Sequence, residues 1–221
     1  MKFYVRAATI SGLNTCWEEI FDMATRHTYE KDSIIPHAQL GGIYYLASGA
    51  VSIFYVAHDG QERLTLRIKP GCLFNEARTF AQCNPEGVFY CTKKSIIWRF
   101  PKDLLQDESF IAAYPRHISN LLWSMGVKML IHYTFLADMG VGNHESHVCR
   151  FIFELSQCHN TETRFPCPMT QKEMASLLGI HRTTLLRIIH KLRRKGIIAR
   201  FTQREVIILD LPQLKRLAML A

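Results

Sequence analysis

The chain has 221 residues, 48% of them hydrophobic, and carries 27 Lys and Arg against 19 Asp and Glu, a net charge of +8. That apolar fraction can fill a packed core and excludes wholesale disorder, and no apolar run approaches the roughly 18 residues that a membrane span needs. The stretch from Met1 to Arg6 has no apolar core or small-residue cleavage site, and the seven cysteines are scattered without CxxC spacing, so a cytoplasmic protein with reduced thiols, no signal peptide and no membrane partner is expected.

In chain order, the first expected element is a short amphipathic helix over 16–25. From about 29 to 100 the sequence reads as short strands cut by turns, with β-rich runs at 43–46, 50–57, 62–68, 88–92 and 95–100. Asp59-Gly60 between two such runs is a hairpin signal. Short strands at regular spacing predict a small antiparallel barrel or sandwich. After Pro101 the chain turns helical to about 138, with Pro115 near the start of a long helix.

In that helix Ile118, Leu122, Met125, Met129, His132, Leu136 and Met139 follow alternating steps of four and three. They make an a/d seam with His132 its one polar member, and it is the expected dimer interface. A second stripe, Leu121, Lys128, Ile131 and Phe135, faces elsewhere. Two stripes suit a helix packed on its own barrel and on a second copy of the chain. Gly140, Gly142 and Asn143 then give a hinge composition, followed by a helix over 145–158 and a loop with Pro166 and Pro168.

The charge is unevenly placed. Nine Lys and Arg lie between Thr170 and Arg204 with one acid, Glu173, so this stretch accounts for the whole net charge. Such a one-sided concentration suits a polyanion. Thr170 followed by Glu173 is a capping box that starts a helix at Gln171, with Met174, Ala175, Leu177 and Leu178 buried and Gly179 ending it. Ile180 is expected to pack beneath the turn. A second helix is expected over 182–195, with Leu185, Ile188, Ile189 and Leu192 on its buried side. Runs at 197–200 and 206–209 flank "FTQRE" as a two-stranded wing.

Two short helices around a Gly turn, the second showing basic residues, describe a winged helix-turn-helix whose second helix enters the major groove. The expected DNA-binding residues are Thr170, Gln171, His181, Arg182, Thr183, Thr184, Leu186, Arg187, His190 and Lys191. Arg187 suits a bidentate contact to guanine, Arg182 phosphate or base, Thr183 and Leu186 thymine methyls, and Lys191 and Arg194 phosphates. No G-x-S-x-G, HExxH or P-loop motif is present, and an enzyme is not expected.

This order of parts resembles the cyclic-AMP receptor/fumarate-nitrate reduction regulator (Crp/Fnr) family over essentially the whole chain. "MTQKEMASLLGIHRTTLLRIIHKLRRKGII" is similar to the family pattern T-x-x-E/D-[I/L/M]-A-x-x-x-G followed by R-x-[I/L]-x-x-L. "YYLASGAVSIFY" and "IKPGCLFNEA" look like its (I/Y)-x-G-x-V and G-x-x-F-G-E segments. The resemblance implies an α+β chain with three parts. These are a sensor of cyclic-nucleotide-binding-like jelly-roll type over 1–110, a dimerisation helix over 111–139 and a winged helix-turn-helix domain over 140–221. It also implies a homodimeric activator that reads an inverted repeat in duplex DNA and works with RNA polymerase. Thr183 stands where many members have Glu, so a carboxylate accepting from cytosine is absent, and His181 replaces a small N-cap Ser.

The same resemblance bears on the effector. Cyclic-nucleotide binders hold the phosphate with an Arg-Ser or Arg-Thr pair, and the matching place here is Pro85-Glu86. Oxygen-sensing members use an N-terminal cysteine cluster, whereas this chain has only Cys16 before Cys72. Some members that answer to halogenated phenols share both absences, and the chain looks most like that branch. A small apolar or aromatic effector is therefore expected, with Asn75, Glu76, Arg78, Phe89, Tyr90, Met129, His132, Tyr133 and Leu136 in reach. Two alternatives stay open: haem on His132, and a redox switch between Cys83 and Cys91.

Overall fold

The computed structural model describes residues 8–36, 41–56, 62–81, 87–139, 143–159, 163–167 and 169–219. It divides into two compact units, Ala8–Ile131 and His132–Ala221. The Asp59-Gly60 turn, Cys83, Pro85-Glu86, Gly140, Gly142 and Pro168 lie outside the described residues.

The first unit is built on a six-stranded sheet. Its strands are β1 (Thr9–Ile10), β2 (Thr25–Tyr29), β3 (Ile43–Val56), β4 (Glu62–Ile68), β5 (Cys72–Phe74) and β6 (Gly87–Phe100). The order is β1-β4-β3-β6-β2, with β5 also paired to β3. All pairs are antiparallel except β1 with β4, which departs from the expected all-antiparallel sheet. β3 and β6 are each one 14-residue strand where the sequence reads as two runs. The join in β3 is irregular: its register on β6 shifts three times between Leu46 and Val51. Gly49, at φ +95°, permits this, since a Cβ there would lie 2.3 Å from Ser95 Oγ. Ser95 Oγ in turn accepts from the Ala50 amide at 3.3 Å.

The expected helix at 16–25 is a 3-10 segment, Thr15–Met23, interrupted at Ile20. It inserts Trp17 into a core with Ile43, Tyr45, Leu73, Phe100, Phe110 and Leu121. Those residues come from β3, β5 and β6, from α2 (Glu108–Ala113) and from α3 (Pro115–Met139). Pro115 opens α3, where its missing N–H costs nothing.

α3 shows two faces, as the two stripes predict, but rotated from the expected assignment. His117, Leu121, Ser124, Val127, Lys128 and Ile131 are buried. Leu122, Met129 and Leu136 are 65%, 54% and 63% exposed, joined by Trp123, Leu130 and Tyr133, so a wide apolar stripe faces outward. Ile118 and Met125 are a correction to the seam, being half-buried against the unit's own core. His132 is exposed on the outward face, and the side chains of Met139 and Phe135 lie outside the described set.

The second unit holds α4 (His144–Cys158), β7 (Arg164–Phe165), α5 (Gln171–Leu177), α6 (Arg182–Arg194), β8 (Ile198–Phe201), β9 (Val206–Ile208) and α7 (Leu211–Met219). The wing is three-stranded, β7-β9-β8, rather than two-stranded, because the two-residue β7 carries no periodicity to read. α5 starts in the expected capping box. Glu173 N donates to Thr170 Oγ1 at 3.2 Å, and Thr170 N donates to Glu173 Oε2 at 2.7 Å.

α5 ends at Leu178, with Gly179 in the left-handed region at φ +64°. The Gly179 amide donates to Ser176 O and the Ile180 amide to Ala175 O, at 3.2 and 3.0 Å. This paired closure terminates the helix and sets the turn into α6. α6 ends in the same way. Gly196 at φ +67° donates to Arg193 O, and Ile197 donates to Leu192 O, both at 3.0 Å.

Candidate functional site

Two groups of side chains stand out, one in each unit. In the second unit α6 buries Leu185, Ile188, Ile189 and Leu192. At about 100° per residue the opposite arc centres on Thr183, Arg187, His190 and Arg194, with Arg182 toward one edge. All five are exposed, as is His181, whose side chain makes no cap bond. Thr184 and Leu186 are half-buried at the margins. Exposed cations thus project from an otherwise ordered helix, the arrangement that a major groove admits.

Three expected DNA-binding residues are already engaged within the unit. Thr170 is held by the capping box, and Gln171 Nε2 donates to Phe201 O of β8 at 3.3 Å. Lys191 Nζ donates to Glu145 Oε2 near the start of α4, and Lys195 Nζ lies 3.6 Å from Glu145 Oε1. The wing shows similar pairing, with Arg164 Nε and Arg200 Nη1 donating to Glu205 at 2.6 and 2.8 Å. Hydrogen bonding from Arg164 first, and from Arg200, holds the Glu205 carboxyl below its usual range. Counting charge along 170–204 missed both acids, which lie outside that window. Arg194 and Arg204 stay exposed and extend the set of candidates.

In the first unit, β5 leads into α1 (Glu76–Ala81) through Asn75, at φ +73°. Asn tolerates that region better than other side chains. Its Nδ2 and Thr79 Oγ1 both donate to Gly42 O at 2.8 Å, fixing the turn. Glu76 is buried and pairs with Lys128 of α3, whose Nζ also donates to Leu73 O at 2.9 Å. A helix cation therefore meets the first residue of α1 inside the fold.

Beside this pair stands an aromatic group. Tyr44 stacks on Phe74 with centroids 5.3 Å apart, and Phe89 meets Phe74 edge-on at 5.5 Å. Arg78 Cζ lies 4.7 Å from the Phe89 ring centre, while its Nη2 donates to Gly87 O at 2.6 Å. Burial pushes the Tyr44 phenol up to about 12.

Asn75, Glu76, Arg78 and Phe89 are thus brought together as expected. Tyr90 is not: strand alternation sends it to the other face, where its hydroxyl donates to Asp32 at 2.8 Å and its ring meets Phe54. Met129 is a second correction, since it belongs to the outward stripe of α3. His132, Tyr133 and Leu136 are exposed as well. The sequence reading missed Tyr44, Phe74 and Lys128. An ionisable residue on a buried stripe was the available signal for Lys128. Cys91, one half of the redox alternative, is buried. Among the described residues no group of three or more His, Cys, Asp or Glu is placed to hold a metal. None of their helices is long and apolar enough to cross a membrane.

A β-rich sensor of cyclic-nucleotide-binding type followed by a helix-turn-helix unit is the class of protein this architecture defines. Residues 26–108 match the cyclic nucleotide-binding domain, and residues 146–217 match the Crp-like helix-turn-helix domain. With both domains in this order, the chain belongs to the Crp/Fnr family.

The transcriptional regulatory protein btr of Bordetella pertussis is 34% identical over 89 residues, 38% of this chain and 36% of that protein. The anaerobic regulatory protein of Pasteurella multocida is 21% identical over 164 residues, 72% and 59% of the two. The matches therefore span about a third and three-fifths of these relatives' lengths. Among solved structures, CprK complexed with OCPA has a TM-score of 0.81 at 16% identity, covering 95% of this chain and 96% of that one. A CooA mutant from Carboxydothermus hydrogenoformans has a TM-score of 0.77 at 16% identity, covering 96% and 98%. At these identities the likeness is one of fold.

Proposed function

We propose that the protein is an effector-controlled transcription regulator that binds an inverted repeat in duplex DNA as a homodimer. In this reading 1–110 senses, 111–139 dimerises, 140–221 reads DNA, and the bound dimer works with RNA polymerase as an activator. The observation that carries it is the exposed arc of Arg182, Thr183, Arg187, His190 and Arg194 on α6. The outward apolar stripe of α3 supplies a surface for a second copy. Two recognition helices related by a two-fold would sit about one helical turn of DNA apart.

The effector in this reading is a small apolar or aromatic molecule. Tyr44, Phe74 and Phe89 offer an aromatic wall, with Arg78 on the ring of Phe89 and Lys128 beside it. A CprK structure is in complex with o-chlorophenolacetic acid, a small aromatic acid of the kind such a wall suits. A ligand switches the protein only by binding its DNA-competent state more tightly than the other.

Anisotropy titration of a labelled inverted-repeat duplex, run across a salt series, tests both parts. Log affinity should fall linearly with log salt as phosphate contacts release counterions. Cyclic AMP and cyclic GMP should leave it unchanged, whereas a small aromatic acid should raise it. Salt-independent binding, or a rise in affinity on adding cyclic AMP, would contradict the reading.

A further inference from the structure

The recognition helix carries more charge than it presents, because the carboxylate on the neighbouring helix holds part of it. Lys191 and Lys195 occupy one flank of the exposed side of α6, next to the Arg187 position. Glu145 of α4 reaches both, accepting from Lys191 and lying 3.6 Å from Lys195. Its side chain is 20% exposed against 44% and 43% for the two lysines, so the carboxylate sits under them rather than in water. Burial pushes the Glu145 carboxyl up, and the two ammonium groups more than offset this, leaving it below its usual range. It therefore stays ionised wherever the lysines are charged.

Resting on the DNA-binding reading above, we infer that Glu145 is a specificity-determining residue, one that withholds Lys191 and Lys195 from the phosphate backbone. Phosphate contacts raise affinity for every sequence alike, whereas base contacts discriminate. Neutralising one flank of α6 lowers the sequence-independent part of binding and leaves the central arc, with Arg187, to set the preference. Thr183, where the resembling family often has Glu, makes the device useful, since the base-reading arc has no acid of its own. Lys191 on this account is not a phosphate contact, which revises the role its sequence position suggests.

The test is a salt series on the full-length protein with an inverted-repeat duplex and a scrambled duplex. Glu145→Gln should steepen the log–log slope by about 0.9 to 1.8, the release expected for one or two added phosphate contacts. At low salt it should bind the scrambled duplex roughly tenfold more tightly, and the ratio of specific to scrambled affinity should fall. Lys191→Gln, with Glu145 intact, should leave the slope of the wild type unchanged.

Two results overturn the inference. One is equal loss of affinity on both duplexes for Glu145→Gln with its slope unaltered, which marks a purely structural tie between α4 and α6. The other is a slope flattened by about 0.9 in Lys191→Gln, which marks an existing phosphate contact. A wild-type chain that binds neither duplex would instead remove the DNA-binding reading itself.

Discussion

Lys128→Met should destabilise the first unit by about 3–5 kcal/mol, the cost of leaving a buried carboxylate without its partner. Lys128 and Glu76 have side chains 11% and 5% exposed, so water cannot take over the lost interaction. The Leu73 carbonyl loses its donor in the same step. The three tryptophans, Trp17, Trp98 and Trp123, all lie in the first unit, so their fluorescence in a urea titration reports its unfolding. Converting both partners, Lys128→Met with Glu76→Met, should restore most of the stability, because an apolar pair needs no counter-charge. A single variant within about 1 kcal/mol of the wild type would mean that the pair is open to solvent.

Met129→Glu should give monomers. Met129 sits mid-way along the outward stripe between Leu122 and Leu136, and in a two-fold pairing of α3 each copy meets its own counterpart. The substitution then places two carboxylates together in an apolar seam, at a cost of several kcal/mol. Since about 1.4 kcal/mol is tenfold in a dissociation constant, the dimer should weaken on the order of a thousandfold. A Cβ added at Gly126 of the same helix would meet nothing within 4 Å, which leaves room for a neighbouring helix. Sedimentation velocity reads the outcome directly, and an intact Met129→Glu dimer would place the interface elsewhere.

Local features of the chain were legible in advance. The capping box at Thr170, the Gly179 turn and the bounds of α6 follow from nearest-neighbour chemistry, and the structure reproduces them. Asn75 was legible in a different way: it stands where the resembling motif has Gly, and both residue types accept its positive φ. What the sequence hid was long-range or geometric. Glu76 and Lys128 are 52 positions apart, and Glu145 and Lys191 are 46 apart, so no window reveals either pair. The bulged join at Gly49 turned one strand into two apparent runs. A strict a/d count put Ile118 and Met125 on the seam, whereas a straight helix drifts about 20° per heptad from that repeat and turns them inward. Tyr90 was grouped with Phe89 although adjacent strand residues face opposite ways.

The central claim is that α6 reads base pairs rather than merely attracting DNA. Comparing Arg187→Ala with the wild type on an inverted-repeat duplex and its single-base variants tests it most directly. Arg187 is exposed at the centre of the arc and reaches the groove with a fork that matches guanine O6 and N7. The substitution should cost about 1–3 kcal/mol on the preferred sequence and relax discrimination at one base pair in each half-site. Equal weakening on every duplex, with base preference intact, would show that Arg187 contacts phosphate and that this helix does not read the sequence.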